Sequence, residues 1–271
     1  NTAQGLSVLV TPTIAVLMYA MFLQIPFLNL KDGLHNKPFM AALLVANFVL
    51  IRLLVWGLTR FLDGHPAILI GVLLVLLTPC IDYVVVFTHI GRGDSRLILS
   101  ATPILLLLQL ALLPLYLGLM LSDTSGVVVS IGPFVEAFLA LIVAPLILAL
   151  LTEALVKRSA AVKTWADAWA WLPVPAMAAV LVAVVGSQIA PVGNEIDRLA
   201  PVLPVYIAFA FLAPVIGALV SKVCRLPVRS ARAVIFSSST RNSLVVLPLA
   251  LALPEELRGL AAAAVITQTL V

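Results

Sequence analysis

Asp82 and Arg241 are the residues around which chemistry can be built in this sequence, because each interrupts an otherwise apolar stretch next to a helix breaker. Asp82 follows Leu76-Leu77-Thr78-Pro79-Cys80-Ile81, and Arg241 follows Ile235-Phe236-Ser237-Ser238-Ser239-Thr240 and precedes Asn242. A carboxylate or guanidinium deep in an apolar span costs at least a few kcal/mol, so it is normally paired or faces a water-filled path. Thr78, Cys80, Thr240 and Asn242 add two hydroxyls, a thiol and an amide at the same two breaks. Asp82 and Arg241 are expected to meet where the breaks cross.

The elements that must position these groups follow from composition. The chain has 271 residues, 63% of them hydrophobic and 10% charged, whereas soluble domains run near 45–50% apolar and about 25% charged. A domain of this size cannot hide so much apolar surface from water, so the sequence describes an integral membrane protein and excludes soluble enzymes. The basic residues form no stripe interleaved with aromatics, which excludes a nucleic-acid binder. Two cysteines, Cys80 and Cys224, make neither a disulfide scaffold nor a metal cluster. There is no phosphate-binding loop, hydrolytic triad or zinc-ligand pattern. The expectation is therefore a non-enzyme without cofactor, whose partners are the lipid bilayer and a small inorganic or anionic solute.

Crossing about 30 Å of hydrocarbon takes roughly 20 apolar residues in a helix. Nine spans are expected, at 7–27, 38–58, 66–89, 97–121, 131–152, 170–190, 202–221, 232–253 and 257–271. Lys31, Lys37, Arg92, Arg96, Lys157, Arg158, Lys163, Lys222, Arg225, Arg229 and Arg232 fall on one side, against Arg60, Arg198 and Arg258 on the other. The richer side is cytoplasmic by the positive-inside rule, which puts the C-terminus in the cytoplasm and the protein in the plasma (inner) membrane. Arg52 is close enough to its helix end to snorkel. The polar residues Gln24, Thr102, Gln109, Ser187, Gln188, Thr267 and Gln268 are expected to bond between helices.

The two breaks lie five spans apart, and Asp82-Tyr83-Val84-Val85-Val86 can be laid over Asn242-Ser243-Leu244-Val245-Val246. That spacing suits a five-plus-five inverted repeat whose site lies between discontinuous helices. One transporter domain, 1–271, is expected, with 1–121 as the rest of the first repeat and 131–271 as the second.

The run Thr78-Pro79-Cys80-Ile81-Asp82 through His89-Ile90-Gly91-Arg92-Gly93-Asp94 resembles the fourth helix of the arsenite-efflux permeases, in a superfamily shared with bile acid:sodium symporters. The resemblance implies an all-α membrane protein of ten helices, of which nine are present here. On that resemblance the family's first helix is expected to be lacking and the last cut short, and the halves are expected to form panel and core domains in which two discontinuous helices cross. It also implies arsenite efflux in exchange for protons, with Cys80 making transient contact with trivalent arsenic, a soft ion suited to a soft ligand. Cys80, Asp82, Arg241, Asn242, Thr78 and Thr240 form the expected substrate-binding set. The sequence departs from both branches. No carboxylate stands near Ser243 and Leu244, where the permeases carry a Glu, so Asp82 becomes the expected proton-coupling group. Ser237 and Arg241 stand where the symporters hold sodium, and an Arg there argues against sodium coupling. An alternative keeps the fold and makes Arg241 the anchor of an organic anion, as in a bile-acid-like symporter.

Overall fold

In the computed structural model, residues 36–62, 64–81, 83–122, 138–156, 158–169, 199–251 and 253–271 are described, with 16, 18–23, 25, 136, 171, 172 and 175. Asp82 lies outside the described residues, as do Gln24, Ser187, Gln188 and most of the first and sixth expected spans. The described elements are all helical: α1 (Lys37–Leu58), α2 (Pro66–Leu76), α3 (Tyr83–Ile90), α4 (Ser95–Ser122), α5 (Ala144–Val156), α6 (Ala160–Trp169), α7 (Val202–Val223), α8 (Val228–Ser239), α9 (Ser243–Leu251) and α10 (Glu255–Leu270). Helices α1, α4 and α7 are each long and apolar enough to cross a membrane. Their outward side chains, among them Leu53, Leu115, Leu119, Phe211, Leu219 and Val223, are exposed. Such apolar exposure is stable only against lipid, so this is a multi-pass, all-α membrane protein.

The two interrupted spans appear as helix pairs. Helix α2 stops at Leu76 and α3 starts at Tyr83; α8 stops at Ser239 and α9 starts at Ser243. Pro79 has no N–H to continue the ladder. At the other break Ser239 and Thr240 turn their hydroxyls back onto Ile235 O (2.6 Å) and Phe236 O (2.8 Å), closing the last turn of α8 on itself. The segments then pack crosswise, α2 on α9 and α3 on α8.

Helix α2 is buried over Ala67–Leu76. That accounts for its lack of a polar face, since a helix covered on all sides has no amphipathic stripe. Its cover includes α10, whose Ala261, Ala262, Ala263 and Ala264 are buried. With lipid as apolar as the helices, close van der Waals contact rather than the hydrophobic effect holds such pairs together, and small residues permit it. A Cβ on Gly71 would lie 2.4 Å from Ala261 O, and one on Gly217 of α7 would lie 2.3 Å from Ser238 Oγ of α8.

A turn ties α3 to α8. Gly93 N–H donates to Thr88 O (2.7 Å), Asp94 N–H donates to Arg229 O (3.0 Å), and Arg232 Nη1 donates to Gly91 O (3.2 Å). Asp94 Oδ1 then accepts from Leu97 N–H (3.0 Å), capping α4.

Three expectations are corrected. The stretch between the fifth and sixth expected spans holds a further helix, α6, which is short and amphipathic and therefore carries no spanning signal. Thr102 and Thr267 bond within their own helices, to Leu99 O and Ala263 O, rather than across helices. Gln109 is buried with neither amide atom hydrogen-bonded among the described residues. An apolar cavity of about 420 Å³ opens beside α6, lined by Tyr19, Pro145, Leu148, Thr152, Trp165 and Trp169. It shares no lining residue with the breaks.

Candidate functional site

The two breaks touch through their main chains. Cys80 N–H donates to Thr240 O (3.1 Å), Asn242 N–H donates to Thr78 O (3.0 Å), and Pro79 faces Arg241 in an isolated antiparallel bridge. Backbone removed from a helix inside a membrane must find partners within the protein. Here each break supplies them to the other. Of the expected set, Thr78, Cys80, Thr240, Arg241 and Asn242 are thus brought together.

The hydroxyl protons of Thr78 and Thr240 are committed to their own helices. Thr78 Oγ1 donates to Leu74 O (3.0 Å) and Val75 O (3.1 Å), and Thr240 Oγ1 to Phe236 O. Cys80 is 4% exposed, within the crossing. Asn242 is equally buried; its Oδ1 accepts from Val245 N–H (3.2 Å) at the first turn of α9, while its Nδ2 has no hydrogen-bond partner among the described residues.

Arg241 is 7% exposed, and its guanidinium is held by oxygens from three elements. Nη2 donates to Asn47 Oδ1 (3.1 Å), to Ser237 O (3.1 Å) and, in a very close contact, to Ser238 O; Nη1 reaches Leu76 O at 3.5 Å. The guanidinium carbon lies 5.3 Å from the centre of the Phe209 ring, within cation–π range. The carbonyls of Leu76, Ser237 and Ser238 belong to the last turns of α2 and α8, where the helix leaves carbonyls without a partner.

Asn47 has no place in the reading of the sequence. It lies in a π-helical turn of α1, Ala46–Leu50, and is fully buried. Its Nδ2 donates to Leu43 O (3.1 Å) and Ser237 Oγ (3.1 Å). Those two acceptors fix the amide orientation and leave Oδ1 for Arg241. A lone Asn inside the apolar run Leu43-Leu44-Val45-Ala46-Asn47-Phe48-Val49-Leu50 was the available signal.

Arg52 overturns its snorkelling expectation. It is 4% exposed and donates, at very short range, to Leu77 O, with its guanidinium carbon 4.8 Å from the Tyr116 ring centre and 5.2 Å from that of Phe48. The sequence distance to the helix end gave no information on which way the side chain turns. Facing inward, its Nη1 meets an orphan carbonyl and its guanidinium lies against two aromatic faces, while Nε and Nη2 have no hydrogen-bond partner among the described residues. A second guanidinium therefore borders the crossing.

The charge arrangement is asymmetric. The C-terminal ends of α2 and α8 reach the crossing with Arg241 on them, and α3 and α9 begin just beyond it with their positive ends. Asn242, the residue before α9, adds an amide donor at that end.

No curated protein sequence matches this chain. A model of the sodium bile acid symporter family matches residues 11–194, a stretch that includes the first break and ends before the second. With more than half of its length matched, and a broken apolar helix inside the matched part, the chain belongs to the sodium bile acid symporter family.

Proposed function

We propose that this protein is a secondary transporter of an anionic solute, bound at the crossing of the two broken helices. The observation that carries this reading is the buried Nδ2 of Asn242 at the start of α9, which has no hydrogen-bond partner among the described residues. An uncompensated buried donor costs about 1–3 kcal/mol, and beside a helix N-terminus an anion is the ligand that satisfies both. In this reading the family's five-plus-five arrangement of panel and core supplies alternating access, in the plasma membrane with the C-terminus cytoplasmic.

The test is uptake of radiolabelled taurocholate and smaller carboxylates into proteoliposomes. The wild type is expected to move at least one of them, and Asn242→Leu to reduce that flux about tenfold, equivalent to losing one donor of about 1.4 kcal/mol. A wild type that moves none of them, or a variant equal to it, overturns the reading.

The position of Cys80 favours a second reading, arsenite efflux by proton antiport with Asp82 as the coupling group. A thiol in the crossing is a soft ligand for trivalent arsenic. Expression in an arsenite-sensitive host is then expected to confer tolerance that Cys80→Ser abolishes and that Asp82→Asn uncouples from the proton gradient. Equal tolerance with wild type and Cys80→Ser removes the thiol from the mechanism.

A further inference from the structure

The oxygens around Arg241 form a set that a small cation would use. Asn47 Oδ1, Ser237 O, Ser238 O and Leu76 O converge from α1, α8 and α2 on one positive group, and all of them belong to neutral amides. Neutral carbonyl oxygens gathered in this way are the means by which proteins replace the hydration shell of a monovalent ion. The electrostatics point the same way, since each helix C-terminus carries about −0.5 of a charge, so the ends of α2 and α8 together offer about −1. One monovalent cation balances them. Arg52 also donates into this region, at Leu77 O, and makes a second, free cation there still less favourable.

We propose that the Arg241 guanidinium is a resident cation: it permanently fills an oxygen cage between two helix C-termini, making the protein independent of sodium, and shortening the side chain opens a site for a monovalent cation. The residues present do not fit a sodium ion alongside Arg241, because the oxygens that would coordinate it are already bonded to Nη1 and Nη2. The inference holds whatever the solute is, and it goes beyond the anion reading by concerning the coupling ion.

The test uses purified full-length wild type, Arg241→Ala and Arg241→Lys, with thermal unfolding followed in detergent in sodium chloride and in choline chloride of equal concentration. Chloride and ionic strength are then constant, and no transported solute is present, so failure here and failure of the anion reading are separate results. Wild type and Arg241→Lys, which keeps a tethered charge, are expected to unfold at the same temperature in both salts. Arg241→Ala is expected to unfold earlier in choline and to recover by roughly 3 °C or more, saturably, as sodium replaces choline, as linkage requires of an ion that binds only the folded state. If the Ala variant does not survive purification in choline, recovery of folded protein in sodium alone is the same result read as yield. Sodium-dependent unfolding of the wild type or of Arg241→Lys overturns the proposal. So does an Ala variant that responds to neither sodium, lithium nor potassium, or that fails to fold in all of them.

Discussion

Asn47→Leu is expected to destabilise the protein by ~2–4 kcal/mol, the cost of losing one hydrogen bond to a buried charge together with two neutral ones. One residue carries the effect because Asn47 has three roles at once. Its Oδ1 accepts from Arg241 Nη2, and its Nδ2 donates to Leu43 O and to Ser237 Oγ. Leucine conserves much of the volume and removes all three bonds, so the loss is polar rather than a cavity effect. For a chain of this size the unfolding temperature should fall by on the order of 10 °C, at about 2–4 °C per kcal/mol. The control is the double variant Asn47→Leu with Arg241→Leu. The two side chains share one bond, so the double variant should lose less than the sum of the two single losses. A double variant whose loss is the sum of the two single losses would show that the two side chains are not coupled, and would move the weight of the site away from the guanidinium.

The parts of this architecture that could be read from the sequence are those imposed by backbone chemistry. Pro79 must interrupt a helix because it lacks an N–H, and a run of hydroxyl residues from Ser237 to Thr240 can satisfy its own carbonyls, so both breaks were visible. Laying Asp82 over Asn242 also matches helices that restart one residue later, at Tyr83 and Ser243. What could not be read was the direction of side chains across helices. Arg52 is close to its helix end along the chain, yet it turns inward to Leu77 O and two aromatic rings. Asn47 carried no signal stronger than being polar in an apolar run, and its importance arises only when α8 brings Ser237 and Arg241 beside it. The partner expected for Arg241 was a charge, Asp82. Its described partners are neutral oxygens, a solution that pairwise charge counting in the sequence does not suggest. Helix α6 carries no spanning signal in the sequence because a ten-residue amphipathic stretch is neither long enough nor apolar enough to cross a bilayer.

Those side-chain arrangements depend on where α2 ends, since Leu76 O and Leu77 O meet the two guanidinium groups. The position of α2 is set in turn by its contact with α10, and a second large effect is expected there. Gly71→Val should abolish folded protein or leave it with a strongly reduced unfolding temperature. A Cβ at position 71 would stand 2.4 Å from Ala261 O, 2.9 Å from Ala261 Cα and 2.9 Å from the Ala264 methyl group. Ordinary contact between heavy atoms is about 3.5–4.0 Å, and two of these three atoms are main chain, so no rotamer change relieves the clash. The helices must separate by roughly 1 Å, which forfeits a substantial part of the dispersion energy along the whole α2–α10 contact. Inside a membrane no hydrophobic term compensates for that loss. Gly57, Gly118 and Gly259 provide the contrast, because a Cβ at any of them meets nothing within 4 Å among the described residues. Alanine at those helical positions should be neutral or stabilising by up to ~1 kcal/mol through propensity alone. Folded yield and unfolding temperature of the four variants, measured side by side, separate a packing requirement at Gly71 from a general sensitivity of the helices to glycine replacement. If Gly71→Val folds as well as Gly57→Ala, the close approach of α2 and α10 does not position the crossing, and the Leu76 carbonyl must be held by other contacts.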